Sequence, residues 1–431
     1  MLSRPRGRWV TRIARMPEQI AGCGADVPSD QHWLALNTWL RDHRALWQYV
    51  PFATPEPEWC LAYSATARRL GAFDSATCDF YEQHPDQLAD LLSEDVPALV
   101  QRSSLIRLPD LSGADLSLPE TRAVDMPGRK RLQAGRFAGA IQPLSHRVLD
   151  WCCGKGHLAR TLAPTAPSGV CGMEWASSLV QQGNALARRY GDAVTIHEQD
   201  VLAPSLQMPA DTHAVALHAC GDLHKRLLTR SVQQRLPRIS FSPCCYHLTR
   251  DTRHTPLSHF VSSQSDRLAL STRESRLAVQ ETVTAPARET VQRERLRAWR
   301  LGFDGLQRVL RSSDDYLPVP TSPTHLNQGD FSGFCRWAAQ AKALNLPVNV
   351  DYPKWQAYGE QRLLQVRQHE LVQHLFRRPL DLWLVLDYVL YLQEQGFQVR
   401  WGTFCEREST PRNLLIDACL KINQTERQGL R

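Results

Sequence analysis

Three carboxylates and two glycines stand where a nucleoside ligand would be held. Asp150 closes the apolar run Val148-Leu149-Asp150. The chain then passes through Trp151-Cys152-Cys153-Gly154-Lys155-Gly156-His157 into a helical pattern. Glycines at such a turn let a ligand touch the backbone, and without a Cβ the bend can be tight. Glu174 ends the second apolar run and Asp200 the third. A carboxylate at the second strand end can accept both ribose hydroxyls. One at the third can accept an adenine amino group, with Val201 supplying a backbone amide. The full dinucleotide fingerprint is absent, because Cys152 and Ala159 stand at two of its glycine positions, so a pyrophosphate is poorly served. Any one of these acids alone reads as a helix cap or a solvated residue. Three at successive strand ends around a glycine turn point to a nucleoside cofactor.

A second set is rich in sulfur and imidazole. Cys152, Cys153, His157, His218, Cys220, Cys244, Cys245 and His247 all fall at expected strand ends and are expected along one rim. Three readings stay open. Cysteine packs as a small apolar residue, so the set can be a dry lining. Thiolate and imidazole bind zinc or iron, but adjacent Cys-Cys pairs lack the usual Cys-x₂-Cys spacing, and no metal ligand is assigned. Cys244 can also be a nucleophile. On the acceptor side, His218 has a pKa suited to a general base. Asp222 is a second candidate, equally well explained as the N-cap of a helix starting at Leu223. Tyr246 can stack on a planar acceptor or on adenine; as a core residue it needs one hydroxyl partner. His247 divides evenly between a buried structural role and a site role.

The elements that must position these residues follow from periodicity. Short apolar runs alternate with amphipathic stretches from Arg147. Strands are expected at Val148–Cys153, Val170–Trp175, Val194–His197, Ala214–Ala219 and Ile239–Ser242. Helices are expected from Leu158, from Ala176 to about Tyr190, and from Leu223 to about Gln234. This alternation means βαβ units and a parallel sheet, an α/β fold. A buried helix at Leu380–Gln395 and two runs, Phe397–Phe404 and Leu414–Ala418, read as the last elements of the same sheet. The expected division is a basic arm over 1–30, an N-terminal helical accessory domain over 31–125, a core over 126–250, a mostly helical insertion over 251–370, and the last helix and strands of the core over 371–431. Residues 109–127 are Pro-, Ser- and Asp-rich without periodicity and read as a linker. Arg129-Lys130-Arg131 opens a helix beside the first strand; it reads as a solvated face or as steering for a phosphate or carboxylate.

Composition bounds the class. The chain has 431 residues, 42% hydrophobic and 22% charged, which is globular usage and enough for two or three domains. No apolar run is long enough to span a membrane. The net charge is +7, and only six of the 51 basic residues are Lys. Arginine binds phosphate bidentately and suits RNA contact, although GC-rich codons also produce this bias. Twelve Cys without a disulfide-scaffold spacing imply free thiols in a reducing, cytoplasmic compartment. The Arg-rich residues 1–16 leave a disordered arm, a transit peptide and a second start at Met16 all open.

The acid-glycine set resembles the class I S-adenosylmethionine-dependent methyltransferases. Leu217-His218-Ala219-Cys220-Gly221-Asp222-Leu223-His224, then Ser242-Pro243-Cys244-Cys245-Tyr246-His247, then Thr410-Pro411-Arg412-Asn413-Leu414, are similar to one subfamily of that class. It includes the methyltransferase domains of the glutathione S-transferase C-terminal domain-containing protein and the ribosomal RNA adenine dimethylase domain-containing protein. The tRNA acceptor-stem 2′-O-methyltransferases are more distantly similar. The resemblance covers about 126–250 and 379–420. It implies a Rossmann-like sheet and S-adenosyl-L-methionine held by Asp150, Gly154, Gly156, Glu174 and Asp200. Cys152, standing where most of the class has a glycine, would alter the seat of the carboxypropyl end. It also implies RNA as acceptor, with a protein or small-molecule acceptor and a catalytically inactive cofactor-binding module as alternatives. Pro243-Cys244 is similar to the Pro-Cys dyad of RNA cytosine-5 methyltransferases, a dyad that normally follows the fourth strand rather than the fifth.

Overall fold

Seven apolar runs become one sheet. In this computed structural model, which describes residues 27–280, 287–324, 326 and 329–421, the strands are β1 Arg147–Trp151, β2 Val170–Glu174, β3 Val194–Glu198, β4 Thr212–Cys220, β5 Arg238–Cys244, β6 Phe397–Thr403 and β7 Leu414–Leu420. Their order is β3-β2-β1-β4-β5-β7-β6. The β1–β2, β1–β4, β2–β3 and β4–β5 pairs are parallel, and β7 runs antiparallel to both β5 and β6. The strand order reverses direction between β1 and β4, so the crevice at their carboxyl ends is where an open α/β sheet binds its ligand. This is the Rossmann-like arrangement expected from the sequence. The expected arm at residues 1–30 and the second start at Met16 lie almost wholly outside the described residues.

Both faces of the sheet are covered. The helix Arg377–Glu394 is buried along nearly its whole length and lies between the sheet and the N-terminal helices. Trp33 of the helix Ser29–Asp42 packs on Trp383 with ring centroids 5.6 Å apart, and Trp39 stacks on Phe376 at 4.6 Å. Asn37 locks the contact: its Oδ1 accepts from the Leu268 amide at 2.9 Å and from Trp383 Nε1 at 3.2 Å. The N-terminal helices therefore share one apolar core with the sheet rather than enclosing their own. The other face is covered by Gly128–Ala140, His157–Leu162 and Ser177–Tyr190.

The segment after β5 has two parts. Leu257, Val261, Leu268, Leu270, Leu277 and Val279 join the main core. The helices Ala287–Arg311, Phe331–Ala341 and Tyr352–His374 gather around a core of their own that includes Trp299, Phe303, Phe331 and Phe334. A boundary at residue 370 cuts the helix Tyr352–His374. That helix is continuous from its Asp351 cap, whose carboxylate accepts the Lys354 amide at 3.0 Å, and Arg367 ties it back to Ser75 and Asp79. The aperiodic segment expected as a linker also acquires order. The Leu111 amide donates to the Thr403 carbonyl at 2.7 Å, and the Thr403 amide donates to the Pro109 carbonyl at 3.0 Å, so this strip lies along the free edge of β6.

Candidate active site at the carboxyl ends of the strands

The glycine turn is braced by acids from two strands. Asp150, buried at the end of β1, accepts the Ala159 amide at 3.0 Å and so caps the helix His157–Leu162 from outside. Burial raises the Asp150 pKa to about 7 against the pull of that amide, and the charge of Glu174 adds to the rise. Glu174, buried at the end of β2, accepts the Gly154 amide with one oxygen and the Ala176 amide with the other, both at 3.0 Å. Gly156 adopts φ +70°, and a Cβ there would meet Ile196 Cδ1 at 2.7 Å, so no side chain fits without displacing the β3 core. Asp200 lies two residues beyond β3, not at its last residue. It is exposed, and its carboxylate accepts the Leu202 amide at 2.9 Å while Val201 turns into the core. Trp175, directly after Glu174, is 75% exposed. Sequence reasoning passed over it, although a large aromatic one residue beyond a ribose-type acid was a visible signal.

The expected rim of eight thiols and imidazoles separates into groups. Cys153 packs with the core on the far face, against Gly172, where a Cβ would meet its sulfur at 2.6 Å. His157 sits in the first turn of its helix, with a pKa lowered by burial and by Arg160 and Lys155. Cys152 stays near the acids. Burial, then the charges of Glu174 and Asp150, push its thiol up to about 12. Cys220, Cys244 and Cys245 come together, with their sulfurs all within 4.8 Å of one another and Cys220 Sγ 3.2 Å from Cys244 Sγ. Cys220 and Cys244 are paired positions of β4 and β5, beyond an irregularity in the ladder at Leu217 and Cys220.

The thiols differ sharply. Cys244 is 2% exposed, and its sulfur contacts with Cys220 and Cys245, together with burial, raise its pKa far above the ordinary range. Cys245 is half-buried. The same two neighbours lower its pKa strongly, with His247 and Arg412 adding to the effect. The expected nucleophile Cys244 is the buried one of the three sulfurs, and the surroundings favour the thiolate form at Cys245 over Cys244.

His218 lies at the exposed lip of β4 with φ +72°. Its Nε2 is 3.0 Å from Gln133 Oε1 of the helix Gly128–Ala140. An amide oxygen accepts, so Nε2 carries the proton and Nδ1 is left with the lone pair. Desolvation lowers the His218 pKa, and Lys130, Arg412 and Arg129 lower it further. Gln133 was missed from sequence because it lies 85 positions away and carries no local signature.

Two acceptor-side assignments change. Asp222 does not cap the helix Asp222–Gln233. It is the first helical residue, the preceding Gly221 provides no side chain, and its carboxylate accepts the Arg250 amide at 2.9 Å instead. Gly221 holds φ +57° and ψ −121°, and a Cβ there would lie 1.8 Å from the Leu248 carbonyl oxygen. Tyr246 offers no face to a ligand. It is 5% exposed, packs against His224 and Tyr388, and donates its hydroxyl to Asp381. It is a core residue that holds the loop after β5 onto the helix Arg377–Glu394.

Residues 133–252 match the model of a family described as a methyltransferase domain. That part of the chain is a methyltransferase domain, an S-adenosyl-L-methionine-dependent enzyme fold. Among curated proteins none matches the chain. Solved structures that align with parts of it include the tRNA (uracil-54, C5)-methyltransferase of Pyrococcus abyssi in complex with S-adenosyl-L-homocysteine, 16% identical over 26% of this chain and 29% of that one, TM-score 0.22. A geranyl diphosphate methyltransferase with its substrate and sinefungin is 18% identical over 26% of this chain and 46% of that one, TM-score 0.23. The magnesium protoporphyrin IX methyltransferase of Synechocystis PCC 6803 with bound S-adenosyl-L-homocysteine is 11% identical over 64% of this chain and 75% of that one, TM-score 0.27. The chain spans less than half the length of the first two. Among the described residues no helix is long and apolar enough to cross a membrane.

Proposed function

We propose that the chain transfers a methyl group from S-adenosyl-L-methionine to an RNA acceptor. The observation that carries the cofactor half is the braced turn: Glu174 holding Gly154 and Ala176, beside Asp150 holding Ala159. When bound, S-adenosyl-L-methionine supplies a methyl group already activated on a sulfonium. The protein then contributes position and, where the acceptor needs it, a base. Each Glu174 oxygen accepts one amide and keeps a second lone pair for a ribose hydroxyl. In this reading Asp200 and the Val201 amide meet the adenine edge. His218 Nδ1, oriented by Gln133, takes the acceptor's proton as the methyl arrives.

The acceptor half rests on charge. The charges of Lys130, Arg412 and Arg129 all act on the same imidazole, and cations near a base suit a phosphate-bearing acceptor. The motifs at β4 and β5 and the closing Thr410-Pro411-Arg412-Asn413 support placing the chain in the subfamily they resemble.

The test is transfer of a labelled methyl group by the full chain into total RNA, protein extract and a metabolite pool, each presented separately. Label in RNA supports the reading. Label in protein or metabolites alone moves the acceptor. Failure of S-adenosyl-L-methionine to bind in calorimetry overturns both halves.

A further inference from the structure

The three thiols at the ends of β4 and β5 have a geometry that packing alone does not ask for. Their sulfurs lie within 4.8 Å of one another, the closest pair at 3.2 Å. Zinc binds thiolate sulfur at about 2.3 Å, so sulfurs on a tetrahedral ion stand roughly 3.8 Å apart. The closest pair stands within about 0.6 Å of that value, and the other sulfurs lie no farther than 4.8 Å.

The backbone is bent to make this arrangement. Left-handed conformations cost an ordinary residue on the order of 1 kcal/mol or more. Cys245, one residue beyond β5, holds φ +49°, and His218, two residues before Cys220 on β4, holds φ +72°. At Gly221 the chain takes a conformation open only to glycine, closed down by the Leu248 carbonyl. Without the turn at Cys245, consecutive Cys244 and Cys245 would point to opposite faces of the strand and their sulfurs could not meet. Charge also suits a metal. Three thiolates on a divalent cation leave one net negative charge, and Arg412 and His247 are the cationic or protonatable neighbours of Cys245. His247 Nδ1 is buried and has no hydrogen-bond partner.

We propose that Cys220, Cys244 and Cys245 form a three-thiolate site for a thiophilic divalent cation, with Zn²⁺ the metal it fits. Three protein ligands leave a fourth position, open to water or to an acceptor atom, which is the pattern of reactive rather than closed structural zinc sites. His247, whose Nδ1 has no hydrogen-bond partner, is the candidate to fill it when no acceptor is present. The site stands independently of the methyl-transfer reading, since none of its three ligands holds the nucleoside.

The full chain, purified under reducing conditions without a metal-binding tag, tests this by elemental analysis and by Co²⁺ titration. Expected are about one zinc per chain and a thiolate-to-cobalt charge-transfer band, both lost in Cys220→Ser and in Cys245→Ser and both kept in Cys419→Ser. Where a serine variant does not fold, the wild-type protein decides through alkylation mapped by mass spectrometry. Zn²⁺ should slow modification of these three cysteines at least tenfold and leave Cys60 and Cys419 unchanged. Substoichiometric zinc with no charge-transfer band, equal alkylation with and without Zn²⁺, or a Cys220–Cys244 disulfide in place of bound metal would each overturn it.

Discussion

The carboxylate of Glu174 reaches across from β2 to hold the Gly154 amide at 3.0 Å, so the acid expected to bind ribose also sets the shape of the turn the cofactor lies on. Glu174→Ala should remove S-adenosyl-L-methionine binding in calorimetry, a loss of at least tenfold in affinity. Charge-assisted hydrogen bonds contribute about 1.5–3 kcal/mol each. The far-ultraviolet circular dichroism should be unchanged. Unaltered affinity would remove the ribose assignment.

Asp150 ties pH to stability in the unliganded protein. Its pKa is raised to about 7 in the fold, above the ordinary carboxylate value of 3.8. The protonated form is therefore favoured by folding. Its contribution is complete below about pH 4 and is lost as pH rises through about 7, with a ceiling on the order of 4 kcal/mol. Urea midpoints should fall between pH 5 and pH 8 in the wild type and fall less in Asp150→Asn. Parallel curves for the two proteins would show that Asp150 titrates normally.

His218 should govern the acid limb of the rate profile. Its pKa is lowered by desolvation and by Lys130, so kcat/KM should rise to its plateau at a pH below the ordinary imidazole value near 6.5. His218→Gln should cost about 10²–10⁴ in kcat. Gln133→Leu should cost less and shift the limb, since it frees the imidazole to turn. A profile that ignores both substitutions would exclude His218 as the base.

If the acceptor is RNA, affinity for bulk RNA should fall linearly in a double-logarithmic plot against salt, because cations on phosphates release counterions. Lys130→Ala and Arg129→Ala should each flatten that slope. A salt-independent affinity would favour a small neutral acceptor.

Asp417, on β7, ties together the three strands β5, β7 and β6 at one side of the sheet. It accepts from Arg238 at 2.9 Å, from Arg400 at 2.7 Å and from the Ser240 hydroxyl at 2.6 Å, all at a buried site. Despite burial, Arg238 and Arg400 hold its pKa far below the usual carboxylate range. A depressed folded pKa stabilises above the unfolded value and is lost as pH falls through acid, so Asp417 contributes fully at neutral pH. Asp417→Ala should destabilise by about 3–5 kcal/mol, because the buried Arg238 guanidinium and the half-buried Arg400 lose their carboxylate. A midpoint in urea within error of wild type would contradict the pairing.

How much was legible depends on how local the signal is. Fully buried strands read as apolar runs, so Val170 to Glu174 and its acid at the end are visible in the chain itself. The grouping of cysteines was not. Cys152 and Cys153 are adjacent, and strand alternation alone sends them to opposite faces, which would have taken Cys153 off the rim. The pair Cys244 and Cys245 breaks that rule through a left-handed residue that no composition announces. The partners of His218 and Tyr246 lie 85 and 135 positions away, beyond any local pattern. The misreading of Asp222 has the same origin: an acid before a helix usually caps it, but here the loop after β5 returns to claim the carboxylate.

The strip at Pro109 and Leu111 has a practical meaning for anyone trimming the protein. A fragment beginning after residue 126 would keep the whole catalytic sheet yet uncover the outer hydrogen-bonding groups of Thr403 and its neighbours. Bare strand borders of that kind recruit one another between molecules. The minimal enzyme should therefore precipitate, while one retaining residues 105–126 should stay dispersed if its apolar helix Arg377–Glu394 is also kept covered.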